Sequence, residues 1–242
     1  MNKLHTKSIW ASLVVLAVGA LSSFGGGRPD AQRETRPVGA FTEVSLGGSA
    51  RVVLKQGSPQ SVVVEASAPD LAEFETVVQD QQLRLRYRQD KDGMFRSRNR
   101  GPVTVYVTAP TLTALRVGGS GKLEVDGALK AEGMALAMSG SGNLQVPQLT
   151  ATTLETAVSG SGDVVVSGSC PRHEIRISGS GNVKARELKT ETSKVRISGS
   201  GNANVYASKA AEASISGSGN VRVAGGGQLS SSTRGSGRIS KE

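Results

Sequence analysis

Between residues 112 and 240 apolar side chains recur two apart on both sides of a short glycine-rich segment. Gly121, Gly142, Gly162, Gly181, Gly201, Gly219 and Gly237 mark these segments, at intervals of 18 to 21 residues. Before the marker stand Leu115 and Val117, Leu136 and Met138, Thr156 and Val158, Ile175 and Ile177, Val195 and Ile197, then Ala213 and Ile215. After it stand Leu123 and Val125, Leu144 and Val146, Val164 and Val166, Val183 and Ala185, Ala203 and Val205, then Val221 and Val223. The positions between are polar: Arg116, Arg176 and Arg196 on one side, Glu124, Gln145, Lys184, Asn204 and Arg222 on the other. A period of two is the pattern of a strand with one buried face. Each unit therefore reads as strand, corner, strand and a variable piece that often carries a leucine: Leu129, Leu149, Leu188. Serial repetition at about twenty residues predicts an all-β solenoid with about 20 residues per coil. A hairpin series is the rival, but two-residue hairpin turns favour Asn-Gly or Asp-Gly, and here glycine precedes asparagine.

The corners predict their own stacking. "SGSGN" stands at 139–143, 178–182, 198–202 and 216–220, "SGSGD" at 159–163, with looser forms at 118–122 and 234–238. In a solenoid each bend lies about 4.8 Å above its copy. The glycine pairs Gly119/Gly121, Gly140/Gly142, Gly160/Gly162, Gly179/Gly181, Gly199/Gly201 and Gly217/Gly219 would allow positive φ and close backbone approach. Serine hydroxyls would satisfy backbone groups left unpaired by the bend. Asn143, Asn182, Asn202 and Asn220 would stack as an amide ladder. Asp163 accepts but does not donate, and is expected to weaken that ladder locally. Lys122 and Arg238 would occupy the two ends.

Upstream, "LGGSARVVL" echoes "VGGSGKLEV" and reads as an initial coil. "SVVVEA" (61–66), "QLRLRYR" (82–88) and "PVTVYVTA" (102–109) alternate like strands, while "PDLAEFETVVQD" (69–80) fits a short helix or an irregular connection. These stretches, with the serial corners, resemble the putative auto-transporter adhesin head GIN domain family over about residues 36 to 240. The resemblance implies a right-handed parallel β-helix in a secreted or envelope protein, without catalytic residues. No membrane-anchoring barrel or long coiled stalk is evident here. One domain, 39–242, with an irregular N-terminal β cap is expected.

The first 25 residues read as a signal peptide: Lys3 and Lys7 precede an apolar run at 9–21. That run is shorter than a spanning helix requires, so no transmembrane span is expected after its removal. Residues 26–38 read as a flexible leader. Removing the signal lowers the formal charge from +9 to +7, since Lys3 and Lys7 leave with it. Aromatics make up only 3% of the chain. Burial must rest on aliphatic side chains, and base stacking on single-stranded nucleic acid is disfavoured. Cys170 is the sole cysteine, so no internal disulfide forms.

The chemistry on offer is sparse. Glu155, Glu174 and Glu212 share a column that Lys194 interrupts, which reads as a solvated charge ladder rather than a catalytic pair. His173 and Cys170 lack a third partner and read as turn and core residues. Calcium-binding repeats use nonapeptides with an aspartate in each copy, which this chain lacks. No catalytic residue, cofactor or metal ligand is expected. Basic residues remain: Arg84, Arg86, Arg88, Arg96, Arg98 and Arg100 around one loop, and Arg176 and Arg196 on adjacent coils. They are the candidate ligand contacts for a glycan, lipopolysaccharide or other envelope polyanion; the bland alternative is protection of sheet edges. The expectation is an exported, non-enzymatic module of periplasm, outer surface or medium. A structural spacer is the first alternative and a polysaccharide-degrading enzyme the second. The oligomeric state is left open.

Overall fold

The computed structural model describes residues 31–88 and 100–242. The signal segment 1–25, the start of the leader and Arg96 and Arg98 lie outside the described residues. The N-terminal part contains β1 (Gln32–Thr35), β2 (Glu43–Gly48), β3 (Arg51–Gln56), β4 (Ser61–Ala66), α1 (Ala68–Glu73), β5 (Phe74–Gln79), β6 (Gln82–Tyr87) and β7 (Thr104–Ala109). The regular coils follow as β8 (Ala114–Gly119), β9 (Lys122–Val125), β10 (Ala128–Gly140), β11 (Asn143–Gly160), β12 (Asp163–Ser169), β13 (Arg172–Gly179) and β14 (Asn182–Ala185). Then come β15 (Leu188–Lys189), β16 (Thr192–Gly199), β17 (Asn202–Tyr206), β18 (Ala210–Gly217), β19 (Asn220–Ala224), β20 (Gln228–Arg234) and β21 (Arg238–Lys241).

The β-solenoid expected from the period is present. On the first face, strands leading into the corner stack in parallel as β6, β2, β8, β10, β11, β13, β16, β18 and β20. On the second face, strands leaving it stack as β7, β3, β9, β11, β12, β14, β17, β19 and β21. A short third side pairs Leu129 with Leu149, Leu149 with Gly168 and Gly168 with Leu188. Inward columns form one apolar core from Phe41 to Val223. Cys170 is buried on this third side, its Sγ 3.1 Å from the Arg172 carbonyl oxygen, and burial pushes its thiol pKa up.

The corners stack in register: Gly119 on Gly140, Gly140 on Gly160, Gly160 on Gly179, Gly179 on Gly199 and Gly199 on Gly217. The two glycines of a pair answer different demands. Gly199 has φ +129°, and an added Cβ would lie 2.4 Å from the Gly179 carbonyl oxygen. At Gly201 the obstacle is contact alone: a Cβ would meet the Gly181 oxygen at 2.4 Å and Ile177 Cγ2 at 2.6 Å. The bend's carbonyls are satisfied by the next coil's backbone, not by serine as expected. The Gly179 oxygen accepts from Ser200 N at 2.9 Å and Gly201 N at 3.0 Å. No corner serine hydroxyl makes a hydrogen bond among the described residues.

The amide ladder is directional. Asn220 Nδ2 donates to Asn202 Oδ1 (2.9 Å), Asn202 Nδ2 to Asn182 Oδ1 (2.8 Å), and Asn182 Nδ2 to Asp163 Oδ1 (2.8 Å). Asp163 therefore terminates the ladder as its acceptor instead of weakening it. Burial alone would raise its pKa, but hydrogen bonds from Lys184 and Asn182 hold the carboxyl below the usual range. Asn143 stands in register beyond Asp163 and is exposed. Lys122 is not terminal, since Arg51 stacks beyond it in the initial coil.

The N-terminal cap departs from chain order. β6 and β7 form a level beyond β2 and β3, so the initial coil lies between that level and β8–β9. Antiparallel strands close this end: β5 on β6, β4 on β7 and β1 on β4. The segment 69–80 thus resolves into nearly all of helix α1 and strand β5, and leader residues 32–35 form β1. Asp80 and Gln81, with φ of 51° and 60°, turn β5 into β6. Asp70, capped by Ser67, fastens the helix to the cap. Its carboxylate accepts from the Ser67 hydroxyl (2.7 Å), Gly101 N (3.1 Å) and the Tyr87 hydroxyl (3.2 Å). Burial first, and the Asp70 charge second, push the Tyr87 pKa up to about 12.

The core contains a small polar patch. His173 lies in the inward column between Leu154 and Ser193. Its Nε2 is 3.0 Å from Thr156 Oγ1, while the Ser193 hydroxyl is buried without a hydrogen-bond partner among the described residues. Burial pushes the His173 pKa down to about 3.

Two outcomes follow. Gly199→Val should cost about 3 kcal/mol or more, about 10 °C of melting midpoint. Gly226→Ala, where a Cβ meets nothing within 4 Å, should change little. Equal midpoints for both variants and the parent would contradict the stacked corner. For His173, the unfolded chain binds a proton near pH 6.5 but the folded one only near 3. Stability should be full above pH 6.5 and fall toward pH 3 by up to about 1 kcal/mol per unit. His173→Leu, matching Leu154 in the same column, should flatten that component; unfolding free energies from urea titrations at pH 7.5 and 4.5 measure it, and an equal loss between the two pH values in parent and variant would refute it.

Candidate binding faces

The outward side chains of the first face form continuous columns across the stacked strands. One column runs Arg84, Ser45, Arg116, Ala137, Ala157, Arg176, Arg196 and Ser214. The floor between Arg116 and Arg176 is made of small side chains, Ala137 and Ala157, with Ser139 and Ser159 beside them. Three strand spacings separate these arginines, about 14 Å. A shallow groove of about 550 Å³ covers this floor and reaches Arg196.

Carboxylates in the neighbouring column hold the arginines. Arg176 Nη2 reaches Glu174 Oε1 at 2.7 Å, and Arg196 Nη1 reaches the same oxygen at 3.1 Å. Lys194 Nζ lies 2.7 Å from Glu212 Oε2 and its hydrogen bond holds the Glu212 pKa below the usual value. Arg116 pairs with Glu43. The column Glu155, Glu174, Lys194 and Glu212 is therefore the charge ladder expected from the sequence. It borders a second groove of about 670 Å³ that also includes Arg172 and Thr192.

Of the sequence candidates, Arg84, Arg86 and Arg176 with Arg196 occupy this one face, opposite buried Leu83, Leu85 and Tyr87. Arg84 donates to Gln82 Oε1 (3.0 Å) and Gln79 Oε1 (2.9 Å). Arg86 and Arg88 approach Glu75 at 3.6 and 2.9 Å. Arg100 belongs elsewhere: its guanidinium lies 4.2 Å from the Tyr87 ring centroid, within the cap. Arg116 was not among the candidates although it occupies the same outward position as Arg176 and Arg196. Its column was the available signal.

The second face carries a groove of about 810 Å³ between the cap and the first regular coils. Its central column runs Tyr106, Val53, Glu124, Gln145 and Val165. Hydrogen bonds from Lys122 and then Arg51 hold Glu124 below the usual carboxylate range. No group of acidic, histidine or cysteine residues suited to a metal occurs among the described residues. No described helix is long and apolar enough to cross a membrane.

Similar architectures are known from crystal structures. A putative adhesin from Bacteroides fragilis aligns with a TM-score of 0.81 at 22% identity, over 89% of this chain and 98% of that one. A putative lipid binding protein from Parabacteroides distasonis gives 0.74 at 23% identity, over 89% and 98%. A putative adhesin from Parabacteroides merdae gives 0.69 at 17% identity, over 89% and 98%. At such identities the likeness concerns the fold. No curated protein matches the chain by sequence. The family model described as putative auto-transporter adhesin, head GIN domain, matches residues 40–227, and the chain belongs to that family.

Proposed function

We propose that this protein is an exported, non-enzymatic envelope or surface module whose first face binds anionic glycans or other envelope polyanions. The observation that carries this reading is the single column holding Arg84, Arg116, Arg176 and Arg196 over a floor of alanine and serine. A flat floor lets a polymer lie across the strands, and guanidinium groups beside it present forked donors to carboxylate or phosphate. Each arginine has five N–H donors. Arg176 and Arg196 spend part of theirs on one shared carboxylate oxygen, leaving positive potential on that side of the groove. Membership of an adhesin family supports a surface role, and the ion-paired state of Glu174 and Glu212 supports binding over acid–base chemistry. Catalysis on glycosides requires one carboxyl poised as an acid, whereas the Glu212 pKa is shifted downward.

The test replaces Arg116, Arg176 and Arg196 together by glutamine and titrates lipopolysaccharide, polygalacturonate and alginate. Each exposed arginine is worth about 1 kcal/mol against an anionic surface, so affinity should fall about a hundredfold. Thermal stability should barely change, since exposed pairs contribute little. Absence of binding by the parent, or equal binding by the variant, would refute the reading and favour a spacer. Release of new reducing ends would refute its non-enzymatic part.

A further inference from the structure

The groove of the second face differs from the first in its charge balance and in its one aromatic side chain. Tyr106 is the exposed aromatic among the described residues, 36% accessible, and it stands at the head of the groove. Arg33 closes that end, its guanidinium 5.3 Å from the ring centroid and 2.7 Å from Glu65. From Tyr106 the column passes apolar Val53, then Glu124 and Gln145, then apolar Val165. Five adjacent strands supply these side chains, so the column extends about 19 Å. Asp126 and Pro147 form the lateral wall.

The lining itself holds Arg51 against Glu65, Glu124 and Asp126, and Arg33 and Lys122 at its margin, paired with Glu65 and Glu124, balance the remaining acids. Glu124 is held from both sides, by Arg51 from the neighbouring strand and by Lys122 Nζ at 2.6 Å on its own strand. Its carboxylate is thus fixed in place as an acceptor. Gln145 in the next strand offers both donor and acceptor, without a protein partner among the described residues. An electrically balanced groove has no field to select a polyanion, and its fixed polar centre disfavours a lipid tail. A ring, an apolar step, two hydrogen-bonding rungs and another apolar step match an amphipathic, hydroxyl-rich chain. Sugars present such alternation: a C–H face that packs on an aromatic ring, and an equatorial rim of hydroxyls. The strand spacing is also close to the length of one residue in an extended sugar chain.

We infer that the groove at Tyr106, Glu124 and Gln145 is a binding site for a neutral oligosaccharide lying along the solenoid axis, distinct from the arginine face. Tyr106 serves as the stacking platform. Glu124 and Gln145 take the hydroxyls, while Val53 and Val165 meet the C–H faces. The lowered Glu124 pKa fits a fixed acceptor and not a proton donor to a glycosidic oxygen.

Calorimetric titration of the purified protein with cellohexaose, β-mannohexaose and chitohexaose tests this. At least one should bind. Tyr106→Ala should weaken it tenfold or more, Gln145→Ala should weaken it measurably, and Tyr106→Phe should retain it. Tyr106 points outward, so the melting midpoint should be unaltered; if Tyr106→Ala misfolds, Gln145→Ala still decides. The Arg116, Arg176, Arg196 glutamine variant should bind the neutral chain as the parent does, which separates failure of this site from failure of the polyanion face. Three outcomes overturn the inference: no binding of any of the three chains, parent-like binding by both Tyr106→Ala and Gln145→Ala, or loss of neutral binding in the arginine variant.

Discussion

The structure depends on one contact, the vertical approach of backbone to backbone at the corner. The carbonyl of the first glycine accepts two amides from the coil stacked on it at Gly140, Gly160, Gly179 and Gly199, and one at Gly119 and Gly217. Hydrogen bonds of this kind contribute about 1 kcal/mol each net, but their larger effect is positional. They bring successive bends so close that no Cβ fits at either glycine. With the bends superposed, both flanking strands fall into register, and each column becomes a row of equivalent positions. Inward rows become aliphatic core; outward rows become surfaces whose chemistry changes one residue per level.

That geometry explains why two faces of one solenoid can differ so strongly in character. On the first face, arginines share a column with alanines, and the acids stand one column away. On the second, acids are paired with bases within and beside one groove next to Tyr106. Neither arrangement alters the coil, because register is set by the corner backbone and the inward columns rather than by the side chains of these two grooves. The fold therefore tolerates wide change in surface chemistry, consistent with crystal structures of the same architecture at 17–23% identity.

Much of this was legible in the sequence because the repeat is strict where backbones touch. The inward columns, the glycine pairs, the initial coil at 46–54 and the stacking of Arg176 on Arg196 all follow from counting residues between markers. The cap was less legible for physical reasons. β6 and β7 stack on the side of β2 and β3 away from β8 and β9, so the order of levels departs from the chain order that a serial repeat records. Residues 32–35 are held by backbone pairing while all four side chains stay exposed, so no hydrophobic pattern marks them. The β5–β6 turn uses Asp80 and Gln81 at positive φ, where glycine or asparagine is the usual signal. Arg84 joins the arginine column only through that out-of-order pairing. Asp163 was misread because an anion was weighed as a missing donor, when the ladder needed a final acceptor.

The enclosure of β2 and β3 between β6–β7 and β8–β9 has a consequence for how the chain is made. The strands that cover the initial coil on its outer side all lie before residue 110, so the cap can close once that much chain has emerged. Every later coil contacts mainly its predecessor, and each needs only a template already in place. A polypeptide delivered N-terminus first can thus lay down its own foundation and then be spooled onto it, turn after turn, without a distant partner.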